Sequence, residues 1–173
     1  PAGRRAFTDA ALCQIRPAYA AVFAEYNRSL SQRNASLKDI PKCADLLDTL
    51  DVWDERLVQL GEKIMRGRAA YLEQLSPRAA AFYSGMCGGR ETLSLRYERS
   101  APDFAEALRR ERKNDIFTGH TGVGPHRDDV LVEISGMDAR AYGSQGQKRS
   151  AVIAMKLAEA ELLEKTTGET PVI

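Results

Sequence analysis

Two stretches of this chain repeat large residues at alternating steps of three and four. From Pro17 to Leu37 the positions are Tyr19, Phe23, Tyr26, Leu30 and Leu37, with Arg33 in the slot that lacks an apolar residue. From Lys42 to Leu75 they are Leu46, Leu50, Trp53, Leu57, Leu60, Ile64 and Tyr71; Gly67 fills the missing slot, where the seam is expected to weaken. A period of about 3.5 residues marks helices packed nearly side by side, as in a coiled coil. At ~1.5 Å per residue the second helix would run roughly 50 Å, too long to lie across a small domain. Ser36 to Pro41 supplies the turn, because Pro41 interrupts a helix and favours an extended residue before it. The spacing predicts an antiparallel helical hairpin that projects as an arm, with a compact helical bundle as the alternative. Leu50, Trp53, Leu57 and Leu60 are its expected buried positions.

Beyond Pro77 the pattern changes. Residues 78–84 continue helical, Gly85 to Gly89 break the helix, and Leu93, Leu95 and Tyr97 alternate with polar residues like a strand. Asp103 to Asn114 reads as a short helix. Residues 119–128, GHTGVGPHRD, are a glycine-rich loop. Asp129 to Ile134 alternates as a strand, Ser135-Gly136 turns, and Met137 to Tyr142 returns. A helix follows from Ser144 and ends at Gly168. Thr170 to Ile173 reads as the opening of a buried strand. With Pro1 in place of an initiator methionine, both ends are read as cuts through a longer sequence.

A net charge of +1 gives no global basic field to attract nucleic acid or an anionic membrane. The basic clusters Arg4-Arg5, Arg109-Arg110 with Arg112-Lys113, and Lys148-Arg149 are expected to be solvated helix faces and ends. Cys13, Cys43 and Cys87 are odd in number and form no CxxC, so a reducing compartment fits. His120 and His126 lack the HExxH spacing of a metalloprotease. No apolar run approaches the ~18 residues of a membrane span and no signal peptide is visible, so a cytoplasmic protein is expected.

The glycines 119, 122 and 124 do not make a Walker A loop, because Gly124 is followed by Pro125-His126 and not by the lysine and hydroxyl that phosphate and magnesium need. A conformational role is expected for them. Asp128 and Asp129 at a strand start are expected to face solvent, and His126 alone is no catalytic set. More specific is GSQGQ. Ser144 stands three residues before Gln147, the spacing of a capping box. Its free amides and positive dipole end also suit an anion. Gly146 lets a phosphate approach, Ser144 can turn its hydroxyl outward, and Gln147 can donate from its amide. Capping alone and phosphate binding both remain open on these residues.

The segment TGVGPHRDDVLVEISGMDARAYGSQGQKRSAVIAMKLAEAELLEKTTGETPVI resembles the C-terminal part of the RecF family of bacterial recombination mediators. RRAFTD, YNRSLSQRNASLK and LDVWDERLVQLGEKI resemble, in order, that family's helical second domain. The resemblance implies an α+β chain: a helical arm domain over 1–115, and over 116–173 the α/β C-terminal part of an ABC-type ATPase head of the SMC and Rad50 group. It further implies that Ser144, Gln145, Gly146 and Gln147 are the signature motif, contacting the γ-phosphate of ATP held by the partner subunit. The whole protein would then bind single- and double-stranded DNA, form an ATP-dependent homodimer with magnesium, and act with RecR and RecO to load RecA at gaps. The family's Walker A and Walker B motifs do not occur in this sequence, so no catalytic residue or metal ligand is assigned and no ATP hydrolysis by this chain alone is expected. DNA contacts are not assigned, nor roles for His126, Arg127, Asp128 and Asp129. A helical-hairpin protein-interaction module of an SMC/Rad50-like protein, without a nucleotide role in this segment, is the competing reading.

Overall fold

A computed structural model describes residues 2–168. The strand expected at 170–173 lies outside the described residues. The chain divides into two compact units, each assembled from separated segments.

One unit comprises Pro17–Gly67 and Arg99–Asp128. It contains helix α2 (Ala18–Asp39), a 3-10 turn at Ala44–Leu46, the first part of helix α3 (Leu47–Cys87), helix α4 (Phe104–Thr118) and the glycine-rich loop. Tyr19 reaches the Lys63 carbonyl, Glu25 pairs with Arg56 and Arg33 with Asp54, so partners descend along α3 as positions rise along α2. The two helices are antiparallel, as the seam requires. The hairpin is not a free-standing pair, however. Helix α4, capped by the Asp103 side chain, places buried Phe104 against Gly61 of α3 and joins Arg112 to Asp51 and Asp54.

Most of the seam is buried: Tyr26, Leu37, Leu50, Leu57, Leu60 and Ile64 are all inside. Trp53 is the exception to the expected set, being only half-buried along a surface groove beside Arg28 and Arg56. The seam does not weaken at Gly67 either. A methyl there would fall 2.5 Å from the Tyr19 hydroxyl, so the tyrosine ring occupies the space a side chain would have filled. The slot held by Arg33 is fully buried, and its charge is met by Asp54 at 2.5 Å and Asp115 at 2.7 Å.

The other unit runs through Arg16, includes Arg68–Glu98, and resumes at Asp129. A helix that the seam pattern did not mark, α1 (Ala2–Ile15), opens it. Strands β1 (Leu93–Glu98), β2 (Asp129–Ile134) and β3 (Met137–Asp138) form an antiparallel sheet in that order. Leu93 pairs with Ile134 and Glu98 with Asp129. Ser135 and Gly136 both take positive φ, 49° and 78°, as a two-residue hairpin turn between twisted strands demands. The expected return over Met137 to Tyr142 is strand for two residues only. Asp138 then caps a short helix, α5 (Ala139–Tyr142), by accepting from the Arg140 amide. Helix α6 (Gln145–Thr167) follows, with Ala151, Ala154 and Ala158 buried on one side, so small residues let its backbone pack closely.

β1 and β2 lie on either side of residue 115 in sequence and pair in one antiparallel ladder. Six residue pairs link the two strands. Pro77 does not end α3, which continues to Cys87. Pro77 and Glu73 are both exposed, so water can serve the carbonyl that the proline leaves without a donor.

Candidate functional site at the start of helix α6

Ser144 has extended backbone, φ −65° and ψ 163°, which turns its side chain over the first turn of α6. Its Oγ accepts from the Gln147 amide at 3.2 Å, and the Ser144 amide donates to Gln147 Oε1 at 2.7 Å. The capping box read from the sequence is therefore complete. The Ser144 carbonyl accepts from Lys148, as the first helical bond. The first turn of any helix leaves its leading N–H groups without intrahelical acceptors. With Gln147 served by the cap, those of Gln145 and Gly146 remain for an incoming oxygen.

Ser144, Gln145 and Gly146 are exposed and Gln147 is half-buried. A methyl on Gly146 would meet only the Ser144 Oγ, 3.9 Å away, so the space beside this residue is open. Lys148 and Arg149 continue the turn with positive charge. The arrangement fits an anion sterically and electrostatically.

A residue that sequence spacing did not mark completes the site. Glu91, in the turn before β1, accepts from Gln147 Nε2 at 2.7 Å and from the Tyr83 hydroxyl at 2.7 Å. Those two hydrogen bonds hold the Glu91 carboxyl below the usual carboxylate range. Burial and the same contact push the Tyr83 phenol up, so it stays a donor. The Gln147 amide, expected to be free to donate outward, is thus engaged by Glu91.

The GPHRDD residues hold structure together. Gly124 takes φ 123° with Phe104 and Tyr26 packed where a side chain would start, so the conformational role expected of the loop glycines applies here. His126 Nε2 donates to the Thr121 carbonyl at 3.1 Å, and Nδ1 shares a hydrogen bond with the Tyr26 hydroxyl at 2.8 Å. Asp128 and Asp129 do not face solvent as expected. Asp128 is buried and accepts from the Ser100 amide, while Asp129 pairs with Arg4. Arg4 and Arg112 are accordingly ion-paired and not merely solvated. Among the described residues, no His, Cys, Asp and Glu group could hold a metal ion, and the three cysteines are free. No helix among them is long and apolar enough to cross a membrane.

No protein-family profile matches the chain. Against individual proteins the result is different. It is 42% identical over 175 residues to the DNA replication and repair protein RecF of Agathobacter rectalis, covering all of this chain and 48% of that protein. It is 42% identical over 187 residues to RecF of Synechococcus sp. (strain JA-3-3Ab), again covering all of this chain and 49% of the relative. From end to end, the chain resembles half of a RecF protein. The fold agrees. Two solved structures of the recombination mediator protein RecF in the RecFOR pathway, RecF-ATPrS and RecF-ATP, match with a TM-score of 0.94 at 36% identity. Each match covers 99% of this chain and 49% of the solved chain. The chain spans about half the length of the RecF proteins it matches, and its α+β architecture is that of the corresponding RecF segment.

Proposed function

We propose that this chain serves in ATP-dependent DNA recombination and repair as part of a RecF-like mediator, and that Ser144, Gln145, Gly146 and Gln147 present the α6 N-terminus to ATP held by a second subunit. The observation that carries this is the first turn of α6: exposed Ser144, Gln145 and Gly146, with open space where a Gly146 side chain would start, in a chain that resembles RecF along all of its own length. RecF in the solved relatives is bound to ATP or ATPrS, which supports a nucleotide phosphate as the anion. Magnesium and the cradle for the nucleotide would be supplied by residues outside this chain. DNA, RecO, RecR and RecA loading belong to the proposal at the level of the whole protein.

The test is Ser144→Arg in the full-length protein. It should abolish ATP-dependent dimerisation, measured by light scattering, while ATP binding by a single subunit is preserved. Ser144→Ala separates bulk from the loss of the cap, which costs ~0.5–2 kcal/mol of helix stability. A folded Ser144→Arg protein that dimerises with ATP like the parent would reduce GSQGQ to a helix cap. The interaction-module reading would then stand.

A further inference from the structure

The α6 N-terminus carries one contact that a helix cap does not need. A capping box is complete with the Ser144 and Gln147 side chains and two backbone amides. Here Gln147 also donates Nε2 to Glu91, which is itself anchored by Tyr83, a residue 1% exposed on α3. We infer that Glu91 is a positioning residue: it fixes the Gln147 amide, and through it the Ser144 end of α6, in the arrangement that would receive the nucleotide phosphate. This rests on the reading of Ser144 to Gln147 given above.

The reason is donor and acceptor chemistry. The last torsion of a glutamine is broad and roughly two-fold, so its oxygen and nitrogen ends exchange easily. A carboxylate only accepts, so only the Gln147 NH2 can face Glu91. The Gln147 oxygen must then face the Ser144 amide, as found at 2.7 Å. Without that carboxylate the amide could turn over and set its NH2 against the Ser144 N–H. Two donors would then oppose each other, the cap would open, and the Ser144 hydroxyl would lose its fixed place beside the Gln145 and Gly146 amides. Tyr83 keeps Glu91 from following, because its hydroxyl holds the other carboxylate oxygen. The anchor is formed by α3 and the turn before β1, well separated in sequence from GSQGQ.

The experiment is a double-mutant cycle in the full-length protein with Glu91→Ala and Ser144→Ala, reading ATP-dependent dimerisation, single-subunit ATP binding and melting. Glu91→Ala should weaken dimerisation about tenfold, as the loss of a hydrogen bond to a charged group implies, and leave single-subunit ATP binding within about twofold. In the Ser144→Ala background the same change should cost less than about threefold, since what Glu91 positions is already gone. Equal effects in both backgrounds, or a folded Glu91→Ala protein that dimerises like the parent, would overturn the inference. If Glu91→Ala does not fold, Tyr83→Phe removes one anchor of the carboxylate and is judged by the same criteria. Should both Ser144 variants dimerise normally, it is the nucleotide reading that fails. Hydrogen exchange at the Ser144 amide then decides the positioning role: faster exchange in Glu91→Ala upholds it and unchanged exchange overturns it.

Discussion

Arg33→Leu should be among the most damaging single substitutions in the helical unit. The guanidinium is fully buried and donates to Asp54 at 2.5 Å, to Asp115 at 2.7 Å and to the Thr121 hydroxyl at 2.8 Å. Leucine removes all three contacts. Asp54 would keep Arg112 as a counter-ion, but fully buried Asp115 would retain the Gly122 amide and no cation among the described residues. Removing one partner of a buried pair costs about 3–5 kcal/mol, because the remaining charge is stranded. Most of that is a penalty on Asp115 and not the worth of the pair, and Arg33 Nη2 already lies buried without a hydrogen-bond partner. Adding Asp115→Asn should therefore recover part of the loss, leaving the double variant at least ~1.5 kcal/mol better than the sum of the singles. Urea unfolding followed by tryptophan fluorescence is the assay, since Trp53 is the chain's single tryptophan and lies in this unit. A cost below ~1 kcal/mol for Arg33→Leu, or strict additivity in the double variant, would refute the stranded-charge account.

Gly61 and Gly67 should respond differently to alanine. Both changes gain up to ~1 kcal/mol of helix propensity, but a methyl at Gly61 meets buried Phe104 at 2.6 Å with Pro125 behind it, whereas at Gly67 it meets the half-exposed Tyr19 ring, which can move. Gly61→Ala should lower the melting temperature more than Gly67→Ala; the reverse order would contradict the packing described. Trp53→Ala should cost about 1–2 kcal/mol in urea unfolding, less than the ~3–5 of a core tryptophan, because the ring is half-buried. In acid, Glu91 should contribute to unfolding. Tyr83 and Gln147 depress its folded pKa, so its stabilisation is complete above the unfolded value of about 4.3 and is lost as pH falls through the folded one. Glu91→Gln should flatten the decline in melting temperature below about pH 4, and an unchanged slope would argue against the link.

The sequence made the hairpin legible because its signal is local. Apolar residues three and four apart mark a helical face wherever that face is buried, and Leu50, Leu57, Leu60 and Ile64 obey it. Trp53 broke the pattern because periodicity gives the side of a helix and not how far its neighbours extend over it. Gly67 broke it in the opposite sense, since the missing side chain was supplied by Tyr19 from the facing helix. The β1–β2 pairing was not legible for a related reason: the two strands are separated by a helix and a loop in sequence, and pairing between distant strands leaves no mark on either one's own alternation. At the site, the cap was readable because Ser144 and Gln147 lie three residues apart and act within one turn. Glu91 was not, since it is 56 residues from Gln147 and one glutamate in a turn looks like any other. That asymmetry bears on the chemistry. The cap tells where α6 starts, but which end of the Gln147 amide faces Ser144 is settled by a carboxylate contributed from another element, so the state of the α6 N-terminus depends on the packing of α3 and β1 as well as on GSQGQ.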